Sequence, residues 1–145
     1  MRDLLTNTTT RVWVDSAGNE GNKSSSNPSI SADGRFVTFT STASNIVPGD
    51  TNDENDVFVH DTLANTTTRV WVDSAGNQGN NESFESSISA DGPRVVFSSF
   101  ATNLVPGDTN NTLDVFVSDT GNIPGNNPPD TELQSNVESR TESYW

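Results

Sequence analysis

Cysteine is absent from the 145 residues of this chain. That excludes a disulfide framework, a thiolate nucleophile and any metal site built on sulfur. Histidine occurs once, at His60, and no Gly-rich phosphate loop, His cluster or cofactor motif is present. Basic residues are few: 7 Lys and Arg stand against 20 Asp and Glu, giving a formal net charge of −13 and a pI near 4.1. A field of that sign repels the nucleic-acid backbone and anionic membrane surfaces, so neither is an expected partner. Apolar residues are sparse too, at 30% with a mean hydropathy of −0.60. No stretch approaches the roughly 18 apolar residues of a membrane span, and Met1-Arg-Asp-Leu-Leu-Thr-Asn7 has no apolar core of a signal peptide.

What fills the chain is Ser, Thr, Asn, Asp and Gly, the profile of short strands joined by turn-rich loops. The dominant feature is a duplication. Residues 8–61 recur as 66–119 at an offset of 58, with 37 of 54 aligned positions identical and Thr8–Asn19 repeated letter for letter as Thr66–Asn77. A unit of this length implies a propeller, solenoid or array. Such a unit cannot bury its own sheet face, so each copy needs a neighbour.

Each unit reads as strands. Arg11-Val-Trp-Val14 and Arg69–Val72 are β-branched and aromatic runs, followed by the turn-forming Asp15–Asn22. Ser29–Ala32 leads into Asp33-Gly34, a hairpin signal before Phe36–Ser41, while the second copy carries Asp91-Gly-Pro-Arg94. Phe36 becomes Arg94, whereas Val37 and Phe39 match Val95 and Phe97, which assigns the Val/Phe face to the core. Asp56–Asp61 is apolar on both faces, as in a sheet covered on both sides. No segment has a 3.6-residue apolar period. The expectation is an all-β fold of two four-stranded antiparallel propeller-type blades.

The sequence Ser29-Ile-Ser-Ala-Asp-Gly-Arg-Phe-Val-Thr-Phe-Thr-Ser41, then Asp56-Val-Phe-Val-His-Asp61, then Thr66-Thr-Thr-Arg-Val70 resembles the TolB-type, WD-like β-propeller repeat. The resemblance covers about residues 8–119, with three motifs in the family's order, and departs from it at Pro93 and Arg94. It implies a module that binds proteins, peptides or sugars, or that caps an enzyme. Fold resemblance alone implies no catalysis.

With the strands of a blade named A to D, the chain reads D (8–14), A-B-C (29–61), D (66–72) and A-B-C (87–119). The segments are therefore an N-terminal strand (1–14), a first repeat (15–72), a second repeat without its outer strand (73–119) and a polar tail (120–145). Two blades cannot close a ring, which needs about four to eight. The N-terminal strand is expected to supply the missing outer strand of a blade in a neighbouring copy, building a ring or a filament. The alternative is a fragment of a larger propeller. The tail, ending in Tyr144-Trp145, reads as disordered or as a docking segment.

Candidate sites are few. Asp50, Asn52 and Asp56 follow the spacing D-x-N-x-x-x-D with Glu54 between them, and Asp108, Asn110 and Asp114 repeat it. Alternating oxygens on a tight turn suit a hard cation such as Ca²⁺, although Asp and Asn also occupy turns for backbone reasons. No cofactor is otherwise implied. Trp13 and Trp71 either stack a sugar ring or pack between blades. His60 is replaced by Ser118 in the copy, and no Ser-His-Asp spacing accompanies it. Asn7, Asn22, Asn65, Asn81 and Asn110 each begin an N-x-S/T sequon, which permits glycosylation and an extracellular or cell-surface setting. The reading is a non-catalytic assembly or recognition module whose partners are copies of itself, a protein or a glycan. A lectin-like module with calcium-stabilised loops is the alternative, and the propeller part of a hydrolase a weaker one.

Overall fold

The Asp-Gly pairs reverse the chain as their chemistry requires. Gly34 sits at φ +76° and Gly92 at φ +93°, a left-handed conformation that costs a residue without Cβ nothing. In the first turn the Asp33 carboxylate accepts from Ser31 Oγ and from the Arg35 amide, holding the hairpin shut. The computed structural model describes residues 1–92 and 94–120. Among them there are nine strands and no helix.

Strands β3 (Ser25–Ile30), β4 (Phe36–Ser41), β5 (Asp56–Asp61) and β6 (Thr66–Arg69) form one four-stranded antiparallel meander. Strands β7 (Ser83–Ile88), β8 (Arg94–Ser99) and β9 (Asp114–Asp119) form a second, with no described strand beyond β9. The all-β class therefore holds: among the described residues one sheet has four strands and the next has three. The register repeats as well. Phe39 pairs with Phe58 and Phe97 with Phe116, their rings stacked at 5.6 and 5.8 Å. Arg94 takes the register position of Phe36, so the altered hairpin does not shift the strand; Pro93 itself lies outside the described residues.

Three expectations about the limits of strands need correction. The first strand of each blade starts earlier than Ser29, at Ser25, and passes through a bulge at Asn27 (φ +51°), which makes an Asn-Pro pair look like a loop in sequence. The Arg-Val-Trp-Val runs are not strand cores. β6 ends at Arg69, and Val72 only bridges Gln78, because Trp71 leaves the sheet to fill the gap between blades. The N-terminal strand is likewise only Thr8–Thr9 (β2), and it pairs within its own chain with β1, Arg2–Asp3. That pairing, Arg2 with Thr9 and Asp3 with Thr8, reproduces His60 with Thr67 and Asp61 with Thr66. The repeat thus reaches back before Thr8, to Met1–Asp3. The tail from residue 121 onward lies outside the described residues.

Both faces of β4 and β5 in the first blade are buried. Phe39, Ala43, Ile46 and Phe58 pack with Trp13 and Val47 on one face. Phe36, Val57 and Val59 pack with Val70, Trp71, Ile88, Val95 and Phe97 towards the second blade. Phe36 is thus core, correcting the one-sided assignment: the comparison with Arg94 reported which blade is covered, not which face is apolar. Trp71 is 0% exposed, donates its Nε1–H to Ser99 Oγ (3.0 Å), and lies flat on Gly79, where a Cβ would come within 2.1 Å of the ring. Trp13 repeats this on Ser41 and Gly21 but stays half-buried. Gly79→Ala is therefore expected to cost about 1–3 kcal/mol by overpacking, because the Trp71 ring cannot move. Gly21→Ala should cost clearly less, because the Trp13 ring can swing outward. Thermal melting of both variants checks the difference, and equal losses would contradict it.

Candidate functional site

The contact between the two blades supplies a template against which the open ends can be read. Ser83 donates from its amide (2.9 Å) and its hydroxyl (2.6 Å) to the Asn55 carbonyl, Ala32 donates to the Ala90 carbonyl (2.9 Å), and Asn52 Nδ2 reaches the Gly79 carbonyl. Within this frame Val57 and Val59 are 0% and 2% exposed. Their repeat mates on the outer face of the second blade, Val115 and Val117, are 73% and 64% exposed. Val96, in the place of buried Thr38, and Leu113, in the place of Asn55, are exposed as well. The opposite end is the complement: Ile30 is 49% exposed where Ile88 is 9%, and Trp13 is half-buried where Trp71 is enclosed. Isolated exposed valines need no explanation, but here they form a row on β9, beyond which no described strand lies.

The acidic loops assemble differently from a cation cage. Asp56 is fully buried, and its Oδ2 lies 3.2 Å from Arg69 Nε without an aligned hydrogen bond. Asn52 turns its amide nitrogen to Asp56 and uses its Oδ1 to accept from the Glu54 amide, as in a side-chain-closed turn. In the copy Asn110 donates to both oxygens of Asp114. Asp50 lies close enough for its charge to act on Asp56, and Asp53 pairs with Lys23 (2.7 Å). Asp108, Asn110 and Asp114 lie on the same loop of the second blade, beside an open groove of about 490 Å³. Among the described residues no three His, Asp or Glu side chains converge as a metal set. Arg69 is the counter-charge that sequence reasoning missed. Its only signal was its place on the outer strand of the same blade.

Burial, then the charge of Asp50, push the Asp56 carboxyl up to about 7 against the pull of Arg69. Burial also raises Asp50, and it holds His60 below its ordinary value. His60 is a structural node: its Nδ1 lies 2.9 Å from Thr67 Oγ1, which donates to the Val14 carbonyl at 2.6 Å. With that proton committed, the imidazole must be the donor to Thr67. This joins the outer strand of the first blade to the N-terminal segment. Trp71 is enclosed and offers no face to a sugar. The five sequon asparagines are all exposed, with Asn7 and Asn65 at matching hairpin tips (φ +55° and +53°) and the Asn22 and Asn110 amides engaged with Ser44 and Asp114.

The folded state keeps a proton on Asp56 that the unfolded chain releases near pH 4. Its contribution to stability is therefore full below about pH 4 and is lost as pH rises towards 7. His60 acts oppositely, losing its contribution as pH falls below about 6.5. Asp56→Asn should remove the first effect, so the melting temperature of the variant should fall less, or rise more, from pH 5 to pH 8 than that of the parent. Superimposable pH profiles would rule this out. Because Arg69 and Lys23 already pair with Asp56 and Asp53, millimolar calcium is expected to leave the parent's melting temperature unchanged; a rise of several degrees would mean a cation binds there.

No protein-family model matches this sequence, and no curated protein does. Among solved structures, the fold is similar to the crystal structure of TolB from Acinetobacter baumannii, at 22% identity and a TM-score of 0.44. That match covers 83% of this chain and 23% of the TolB chain. Strand order, register and blade-to-blade packing themselves define the chain as an open stack of propeller-type blades.

Proposed function

We propose that this protein is a non-catalytic blade module of an extracellular or cell-surface assembly, which associates with copies of itself through the two open ends of its blade stack. The observation that carries this reading is the change in exposure between repeat mates: Val57 and Val59 are enclosed, Val115 and Val117 bare. The second blade presents the kind of face that the first blade covers, and the N-terminal end presents the kind of surface that covers it. A contact between unlike ends is heterologous, so it builds a ring if the rotation closes and a filament if it does not.

Chemistry supports a binding role over a catalytic one. His60 is buried and committed to Thr67, and Asp56 is sealed against Arg69, so neither faces a cleft as an acid or base would. The exposure of all five sequon asparagines supports the extracellular setting.

Light scattering across a concentration series tests the reading. The parent should form species larger than the monomer, and salt should strengthen them by screening the net charge of −13. Val115→Asp with Val117→Asp should return the chain to a monomer with a melting temperature within about 2 °C of the parent monomer, since exposed positions contribute little to folding. A parent that stays monomeric at every concentration and salt would sink the proposal.

A further inference from the structure

The internal blade contact also says how two copies would meet. In it, Thr66–Arg69 completes the first sheet along β5, with Phe58 opposite Arg69, Val59 opposite Thr68 and His60 opposite Thr67. Val70 then donates to the Val57 carbonyl (2.9 Å), and Trp71 crosses onto the next blade beneath Val57 and Val59. The β9 edge has no described strand in that place and opens onto the groove of about 490 Å³, lined by Val105, Asp108, Asn110, Val115 and Val117.

The chain's own continuation is a poor occupant by composition. At the offset of 58, Thr66, Val70 and Trp71 correspond to Pro124, Pro128 and Pro129. Proline cannot donate to a ladder, and the tryptophan is missing. The one other stretch with the required residues is Thr8–Val14, identical to Thr66–Val72.

Resting on the self-association proposed above, we infer that Thr8–Val14 of a second copy adds to β9 as the missing outer strand, with Arg11 opposite Phe116, Thr10 opposite Val117 and Thr9 opposite Ser118. Trp13 of that copy keeps its bond to Ser41 and is roofed by Val115 and Val117, as Trp71 is by Val57 and Val59. Ile30 is covered as Ile88 is. The polar bonds of the internal contact carry over because they use the backbone: the Leu113 carbonyl replaces that of Asn55 for Ser25, and Asn110 reaches the Gly21 carbonyl as Asn52 reaches that of Gly79. The one change of character is Arg94 for Phe36. Phe36 lies against Gly92, beside Asp91, so in the pairing of copies Arg94 would lie against Gly34 of the second copy, beside its Asp33 carboxylate.

The donation has an internal competitor. Met1 exchanges two backbone hydrogen bonds of 2.8 Å with Thr10, and β1 holds Thr9 and Thr8 on the edge that β9 needs. β1 must peel away for β9 to bind, a pairing of three residues giving way to the longer ladder of β5 with β6. Asp3→Pro, which removes a ladder donor and the side-chain bonds of Asp3 to the Leu5 and Thr6 amides, should therefore strengthen association about tenfold or more.

The absence of cysteine makes the register directly testable. Full-length Thr10→Cys is mixed with Val117→Cys or, two residues out of register, with Val115→Cys, and heterodisulfides are counted under mild oxidation. Directly opposed residues lie within bridging distance and the displaced pair does not, so the first mixture should exceed the second by about tenfold or more. If copies associate but the two mixtures cross-link equally or not at all, the strand and register fall while self-association stands. If the chain is monomeric throughout and no heterodisulfide forms, both are overturned.

Discussion

Everything in this molecule hangs on a tryptophan that leaves its strand. After Val70 the chain stops pairing with β5, and Trp71 lies between two sheets, against Gly79 and tied to Ser99. A sheet with two apolar faces is unstable alone, and the ring spans the gap that separates it from its neighbour. The flanking Asp73–Asn77 turn, closed by the Asp73 carboxylate, fixes where the ring enters. Because Trp13 repeats the device with Ser41 and Gly21, each repeat carries half a contact at each end. One contact forms inside the chain, and among the described residues the other two halves are unmatched. A repeat that uses its neighbour as solvent shield has this property at any copy number.

The charges follow the same geometry. In the first blade, acids are buried with their partners. Asp61 meets Arg35 (2.7 Å) and the Leu63 and Ala64 amides, and Asp56 meets Arg69 of the outer strand. In the second blade, among the described residues, Asp114 accepts from Asn110, and Arg94 and Asp119 lie 3.9 Å apart at the surface. The same acidic motif is therefore a desolvated pair in one blade and a partly exposed turn in the other. Its chemistry is set by what packs beside it rather than by its spacing.

Much of this was legible in the letters. The duplication gave the unit, Asp-Gly gave the hairpins, and the order of the apolar runs gave the order of the strands within each blade. Less legible were the edges. The bulge at Asn27 hides the start of β3, and the first unit seemed to begin at Thr8 because Met1–Asp3 shares only Asp3 with Val59–Asp61. Register pairing revealed that kinship, since backbone hydrogen bonds are indifferent to side chains. The loop spacing suggested a cation site, and Arg69 was invisible there because it comes from a different strand.

The sequence alone determined the class of fold, the repeat and its offset, since periodicity and turn chemistry are local and survive without coordinates. It also determined that two identical segments, Thr8–Asn19 and Thr66–Asn77, serve in one chain. Only the tertiary structure decided that these twins differ in state. One tryptophan is enclosed because a blade stands on either side of it, and the other is half-covered because a blade stands on one side only. Burial is a property of neighbours, and no single stretch of residues records which neighbours it has.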